Sequence, residues 1–222
     1  PKPIKNMLHN LNIFVHVLAG CLGIVLGIIA YASSKGGKLH SQVGRLFLSQ
    51  MGIVVLTALI GVLFFVTQPF LTVVAFLSFY MAYSGYRVTL TKAQGFQTVD
   101  LWVILLVMGV VGSFLIRLQS IELVWNPGIV YYMLLYLMGI LLFDLTRYGF
   151  PRLIKNPHFW LYDHIFRMTS AFTGLVSAGM GSVFAHWTPW NQIIPAILGN
   201  FWLIFCLIYF SRSLRKRKRA MA

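Results

Sequence analysis

Acidic residues are nearly absent from this sequence. Only 4 Asp and Glu residues stand against 18 Lys and Arg, which gives a formal net charge of +14 for 222 residues. In a soluble protein this excess of positive charge would indicate nucleic-acid binding. Here the basic residues lie almost wholly between or beyond long apolar runs, so membrane topology and anionic lipid explain them better. We therefore expect the lipid bilayer as the partner and no nucleic acid.

Charged residues of either sign are scarce as well. They make up 10% of the chain, whereas hydrophobic residues make up 59%. Soluble domains are closer to half apolar and a quarter charged. A chain of this length cannot hide so much apolar surface in water, so the composition predicts an integral membrane protein.

The usual signatures of catalysis and metal binding are missing too. The two cysteines, Cys21 and Cys206, both fall inside apolar runs, which excludes a disulfide framework and a CxxC site. There is no Walker motif, no GxSxG and no HExxH. No apolar run has a lysine for a retinal Schiff base or a central carboxylate for proton-coupled transport. We expect no catalytic residues and favour a protein that is not an enzyme.

Seven apolar runs are long enough to cross about 30 Å of hydrocarbon as helices. Helix is expected because an open strand would leave backbone groups unpaired in lipid. The sequence therefore predicts an all-α, single-domain bundle of seven transmembrane helices. The predicted spans cover about residues 11–33, 43–67, 70–91, 101–119, 128–148, 160–186 and 191–211.

The basic residues are divided unevenly between the two sides of such a bundle. With seven spans, the two termini lie on opposite sides of the membrane. If the C-terminus is inside, only Lys2, Lys5 and Arg117 lie outside, and all other basic residues lie inside. Because positive residues concentrate on the cytoplasmic side, we predict N-out and C-in orientation in a bacterial inner membrane.

The C-terminal segment, residues 212–222, is strongly basic. We predict a cytoplasmic tail that binds anionic lipid or fixes the topology. Docking of an acidic partner subunit is the alternative, because a run of charge alone does not separate the two. The basic residues are Arg212, Arg215, Lys216, Arg217, Lys218 and Arg219.

Four histidines lie near the ends of predicted spans. By the predicted topology, His16 and His186 lie toward the outer face, while His40 and His164 lie toward the inner face. Each pair is a candidate for the axial ligands of a b-type haem, whose iron is commonly held by neutral imidazoles. The alternative, and the commoner role of a histidine near a span end, is that of a hydrogen-bonded residue at the membrane surface.

The first predicted span also has one face of small residues. Gly20, Gly23 and Gly27 follow His16 on the same side of the helix. Glycines there allow the close approach of another helix or of a flat cofactor.

A denser group of polar residues is predicted at the inner face. Buried acids are rare in this chain, so Asp144 and Asp163 are expected to pair with arginines of neighbouring spans, namely Arg87, Arg147 or Arg167. A structural ion-pair network is the favoured interpretation, and a pocket for an anionic or quinone-like ligand is the alternative. The predicted ligand-binding residues are His40, Arg45, Tyr83, Arg87, Asp144, His164 and Arg167.

A histidine in the first apolar helix, a small-residue stripe, and an H-x-x-x-G-R motif opening the second helix resemble a family of bacterial multi-pass membrane proteins of unknown function. A later D-H-x-x-R-M segment, Asp163 to Met168, is similar to the second polar cluster of that family. The chain departs from the family at Ser41, where Arg is common, and at Phe47, where Tyr is common. The resemblance implies a membrane bundle with a polar site and brings no activity. The matching residues of the first two spans are His16, Ala19, Gly20, Gly27, His40, Gly44 and Arg45.

These patterns leave three functional hypotheses. The leading one is a non-catalytic membrane subunit or ligand-binding bundle of a larger assembly, with the polar site near the cytoplasmic face. The second is an electron-transfer membrane protein that binds b-haem or quinone. The third is a small-molecule carrier.

Overall fold

A computed structural model describes residues 2–65, 69–92, 97–117, 127–150 and 156–220. Within these ranges the chain is helical and has no strand, which confirms the predicted all-α bundle. The helices are α1 (Lys2–Ala32), α2 (Lys38–Phe64), α3 (Pro69–Thr91), α4 (Thr98–Arg117), α5 (Pro127–Gly149), α6 (Phe159–Val183) and α7 (Trp190–Ala220), with a 3₁₀ turn at Ala185–Trp187.

Within the part of the chain that the structure describes, four helices are long and apolar enough to cross a membrane. They are the segments Pro3–Ala32, Lys38–Phe64, Val130–Gly149 and Trp190–Leu214. The apolar part of α4, Thr98–Phe114, is shorter. These long apolar helices agree with the membrane protein that the composition predicts. Helices α3 and α6 differ from them because many of their side chains pack against other helices.

The helix ends follow from local sequence. Pro69 and Pro127 are the first residues of α3 and α5, where the missing N–H of proline costs nothing. Between α1 and α2 the chain reverses at Gly36, whose φ of +75° suits glycine. The Lys35 ammonium donates to the carbonyl of Tyr31 at 2.7 Å and so binds a free acceptor at the end of α1. This turn brings the start of α2 beside the last turn of α1.

α3, α4 and α5 share a core with a regular spacing. The buried residues of α4 and of α5 recur at alternating intervals of four and three, which places each set on one helical face. The next residue on each face is a carboxylate, Asp100 before Ile104 in α4 and Asp144 after Leu141 in α5, and both are buried. The core residues are Ile104, Val107 and Val111 of α4, Val130, Leu134, Leu137 and Leu141 of α5, and Val73, Val74 and Tyr80 of α3.

The glycine face of α1 is covered by α6. A Cβ atom on Gly27 would lie 2.3 Å from Cδ2 of Phe172, and one on Gly23 would lie 2.9 Å from Cδ2 of Leu175. A side chain at Gly27 would clash with the Phe172 ring, whereas one at Gly23 would displace the end of the Leu175 side chain. Of the two partners expected for this face, a helix or a flat cofactor, the structure shows the helix.

α6 occupies the centre of the bundle. It packs closely against α3, α7 and α1, whereas α5 packs against α4 and α3. α5 and α6 are instead connected by ion pairs between Arg147, Arg167 and two aspartates at one end. The two helices separate beyond these ion pairs, and a cavity lies between them.

Candidate functional site

Two histidine rings meet at one end of the bundle. We call it the histidine end; it is formed by the end of α1, the start of α2, the end of α3 and the start of α6. The ring centroids of His40 and His164 lie 6.3 Å apart, and the ring planes are inclined by 77°. Both side chains are half-buried. The two histidines predicted to lie at the inner face are thus brought together.

Hydrogen bonds to the backbone fix the proton on each ring. Nδ1 of His164 lies 2.8 Å from the carbonyl oxygen of Gly85, and Nδ1 of His40 lies 3.1 Å from that of Ala30. A carbonyl oxygen only accepts, so Nδ1 of each neutral ring carries the proton and donates it. Nε2 of each ring therefore keeps its lone pair, and it makes no hydrogen bond to a residue that the structure describes. Histidines that bind metals have this arrangement.

Gly85 makes the bond of His164 possible. A Cβ atom at this position would lie 2.9 Å from Cβ of Arg167 and 3.0 Å from Sδ of Met168. Any larger residue would push α6 away from α3. The close approach lets the imidazole of His164 reach the α3 backbone.

The two outer histidines do not meet. Nδ1 of His16 lies 2.8 Å from Oγ1 of Thr57, in the interface of α1 and α2. His186 is exposed, and its ring lies 5.6 Å from that of Trp187. Within the described part of the chain the rings of His16 and His186 make no contact with each other. The haem site predicted from these two histidines stays a prediction.

A buried ion network joins α5 to α6. Arg167 is 1% exposed and donates to Asp163 at 2.6 Å, to Asp144 at 2.8 Å and to Ser84 at 2.7 Å. Arg147 also donates to Asp163. The phenol of Tyr80 donates to the second acid, Asp144, at 2.6 Å.

This network is balanced in charge. Arg147 and Arg167 face Asp144 and Asp163, and all four are buried. A buried ion pair is stable only when the charges are matched and their remaining hydrogen-bonding groups are satisfied. The contacts therefore favour the structural interpretation of this cluster over an anion pocket.

Arg87 belongs to a separate pair. Its Nε lies 2.6 Å from Oδ1 of Asp100, which is 1% exposed. Tyr83 donates to the same oxygen at 3.0 Å, and the backbone N–H of Gln97 donates to Oδ2 at 2.8 Å. The sequence reasoning missed Asp100, although its spacing from Ile104 and Val107 continues the buried face of α4.

Other predicted site residues lie outside these clusters. Arg45 is exposed on α2 and forms no ion pair with a described residue. The basic C-terminal segment continues helix α7 to Ala220. Arg212 is exposed; the side chains of Arg215, Lys216, Arg217, Lys218 and Arg219 are outside the part of the chain that the structure describes.

A metal site built from three or more His, Cys, Asp or Glu side chains is absent from the described residues. The histidine end brings together two imidazoles, His40 and His164.

Comparison with known proteins gives no relative for this arrangement. No family model, no curated protein and no solved structure matches the chain. The resemblance to a bacterial membrane family therefore stays a prediction.

Proposed function

We propose that this chain is an integral membrane protein that holds a metal centre between His40 and His164, and that the centre is a b-type haem. One observation carries the proposal. The two ring centroids lie 6.3 Å apart, and both rings are anchored through Nδ1, so Nε2 is available to a metal.

The separation fits two imidazoles on opposite sides of one metal ion. Metal–nitrogen bonds are about 2 Å long, and each ring nitrogen lies about 1.2 Å from its ring centre. Opposite ligands therefore place the ring centroids about 6.4 Å apart. The observed 6.3 Å agrees with this value.

Haem suits a site with two protein ligands because the porphyrin supplies the other four. Gly44 lies one turn after His40, and no atom lies within 4 Å of the place where its Cβ would stand. Lys38 and Arg45 are exposed at the same end of α2, where they would neutralise the propionate groups. A haem held by both histidines would have no open position for oxygen and would supply one-electron chemistry, which favours electron transfer.

The absorption spectrum of the purified full chain tests this proposal. We expect a Soret band from protein expressed with adequate haem supply, and a shift of the bands on reduction with dithionite. Extraction into alkaline pyridine should give about one haem per chain. Copper(I) also accepts two opposite imidazoles. Stoichiometric copper without a Soret band would show that the bound metal is copper and that the site does not hold haem. A preparation with neither haem nor copper would overturn the proposal.

We further propose that all seven helices cross a bacterial inner membrane with the histidine end in the cytoplasm, as the uneven distribution of basic residues indicates. Helix α7 is longer than a single membrane crossing requires. Its 31 residues span about 46 Å, more than the hydrocarbon thickness of about 30 Å, so its basic last turns extend beyond the lipid tails. There they would bind anionic lipid or an acidic subunit.

Labelling of single cysteines tests the orientation. In a chain carrying Cys21→Ala and Cys206→Ala, we would place one cysteine at Ser34 or at Thr188, which lie in opposite connections and are both exposed. A membrane-impermeant maleimide should label Thr188→Cys in intact cells and Ser34→Cys only after permeabilisation. The reverse pattern would show the opposite orientation, and labelling of both in intact cells would refute seven spans.

A further inference from the structure

A cavity of about 420 Å³ lies between α3, α5, α6 and α7. It begins near Thr169, about half a turn after the buried Arg167, and extends to Gln192 at the start of α7. Its size lies within the usual range for pockets that bind small molecules. It is separate from the histidine pair, and a ligand bound in it would not depend on the proposed haem.

The cavity side of α6 has hydroxyl groups that are not used in the helix. Many other helical serines and threonines donate to a carbonyl three or four residues earlier, as Ser84, Thr146 and Ser182 do. Ser177 lines the cavity, and its buried hydroxyl has no hydrogen-bond partner among the described residues. The hydroxyl of Thr173 makes no hydrogen bond within the described chain either.

The amide of Gln192 adds a third polar group. Gln192 lines the cavity beside Gly181, where an added Cβ would lie 2.3 Å from its Nε2 atom. This amide, too, has no side-chain hydrogen bond to a described residue. Of these three groups, only the Ser177 hydroxyl is fully buried without a partner among the described residues, and an unpaired buried donor costs free energy. A ligand with acceptor oxygens would remove this cost.

The walls of the cavity restrict what such a ligand can be. None of the described residues that line it is charged, so an ionic ligand would lose its hydration without compensation. Tyr132 and Tyr136 form one wall, while Gly174, Ala178 and Gly199 lie on others. Aromatic rings opposite small residues favour a flat molecule.

The cavity opens toward the surface that the bilayer would cover. Tyr132 at its rim is 70% exposed, and Ile197 on α7 is 48% exposed. A ligand dissolved in lipid would reach the cavity between α5 and α7 without crossing water.

We infer that this cavity binds a flat, uncharged, lipid-soluble ring with carbonyl oxygens, of the quinone class. Its carbonyl oxygens accept hydrogen bonds from Thr173, Ser177 and Gln192, and its ring lies against Tyr136.

A second, larger groove does not compete as a binding site. It has a volume of about 840 Å³ and lies between the start of α1 and the end of α2, with largely apolar walls such as Leu8, Val15 and Phe64. The amide of Asn12 within it already donates to the carbonyl of Thr57 at 3.0 Å. The groove therefore offers mainly apolar surface, which lipid tails can cover, and its Asn12 amide is not available to a specific ligand.

Saturation binding tests the inference. The probe is a tritium-labelled decyl-substituted benzoquinone, and the protein is the full chain in lipid nanodiscs. We expect saturable binding with about one probe per chain. The double variant Thr173→Val, Ser177→Ala should bind about tenfold more weakly, because two hydroxyl donors are lost while the shape of the cavity is kept.

The matched control is the double variant Thr146→Val, Ser182→Ala, in which both hydroxyls are exposed and already donate to the backbone. It should bind within about twofold of the unmodified chain. Equal weakening in both double variants would overturn the inference, as would non-saturable partitioning in all three proteins. A photoreactive azido-benzoquinone gives a second measurement: attachment to peptides of α5, α6 or α7 supports the site, and attachment only elsewhere refutes it.

Discussion

Replacing His40 or His164 by alanine is expected to remove the low-spin haem spectrum, whereas His16→Ala and His186→Ala should leave it unchanged. In the proposed site each histidine of the pair would supply one of the two protein ligands, so replacing either would leave the iron with only one of them. The control histidines lie away from the pair, one bonded to Thr57 and the other exposed beside Trp187. The measurement is the ratio of Soret to protein absorbance after purification.

Added imidazole separates loss of a ligand from loss of the fold. An alanine at His40 leaves space for free imidazole, which should restore the low-spin bands when present at millimolar concentration. His164→Ala also loses the hydrogen bond to Gly85, so its recovery should be smaller. Normal spectra in both alanine variants would contradict the assignment of the pair. Loss of the bands in the His16 or His186 variant alone would place the haem elsewhere.

Asp144→Ala is expected to reduce the free energy of unfolding by about 3–5 kcal/mol. Asp144 is fully buried and accepts hydrogen bonds from both Arg167 and Tyr80. Its removal takes from the nearly inaccessible Arg167 one of its two described carboxylate partners, and Arg147 shares the other. The stability is measured by unfolding in mixed micelles of mild detergent and dodecyl sulfate.

The double variant Asp144→Leu, Arg167→Met is the control for charge balance. It removes one charge of each sign and keeps Arg147 paired with Asp163. It should recover most of the stability lost in Asp144→Ala, because apolar residues of similar size can replace a buried ion pair at little cost. If the double variant is as unstable as the single one, the network stabilises the bundle through its shape or hydrogen bonds and not through charge balance.

Much of the histidine end could be predicted from sequence. Apolar runs of sufficient length predict the helices, and alternation of direction places His40 and His164 at the same end. The scarcity of acids led to the expectation that Asp144 and Asp163 pair with arginines, and they pair with Arg147 and Arg167.

Other features depend on distances between helices, which hydropathy does not encode. The carbonyl of Gly85 receives His164 only because α3 and α6 touch at a glycine. Arg45 was expected in the inner polar cluster with Asp144 and Arg167, but it lies on an exposed face of α2. Arg87 was expected to pair with Asp144 or Asp163, but it bonds Asp100, which precedes the predicted fourth span.

The attachment of α5 to α6 at one end has a mechanical consequence. The ion pairs of Arg147 and Arg167 hold the last turns of α5, while its first turns lie across the cavity from α6 and α7. Val130, in these first turns, is fully buried in the core shared with α3 and α4, and Asp100 bonds α4 to Arg87 of α3. The wall that α5 gives to the cavity is therefore supported from behind by α3, so a molecule entering from the lipid would meet a firm surface on that side.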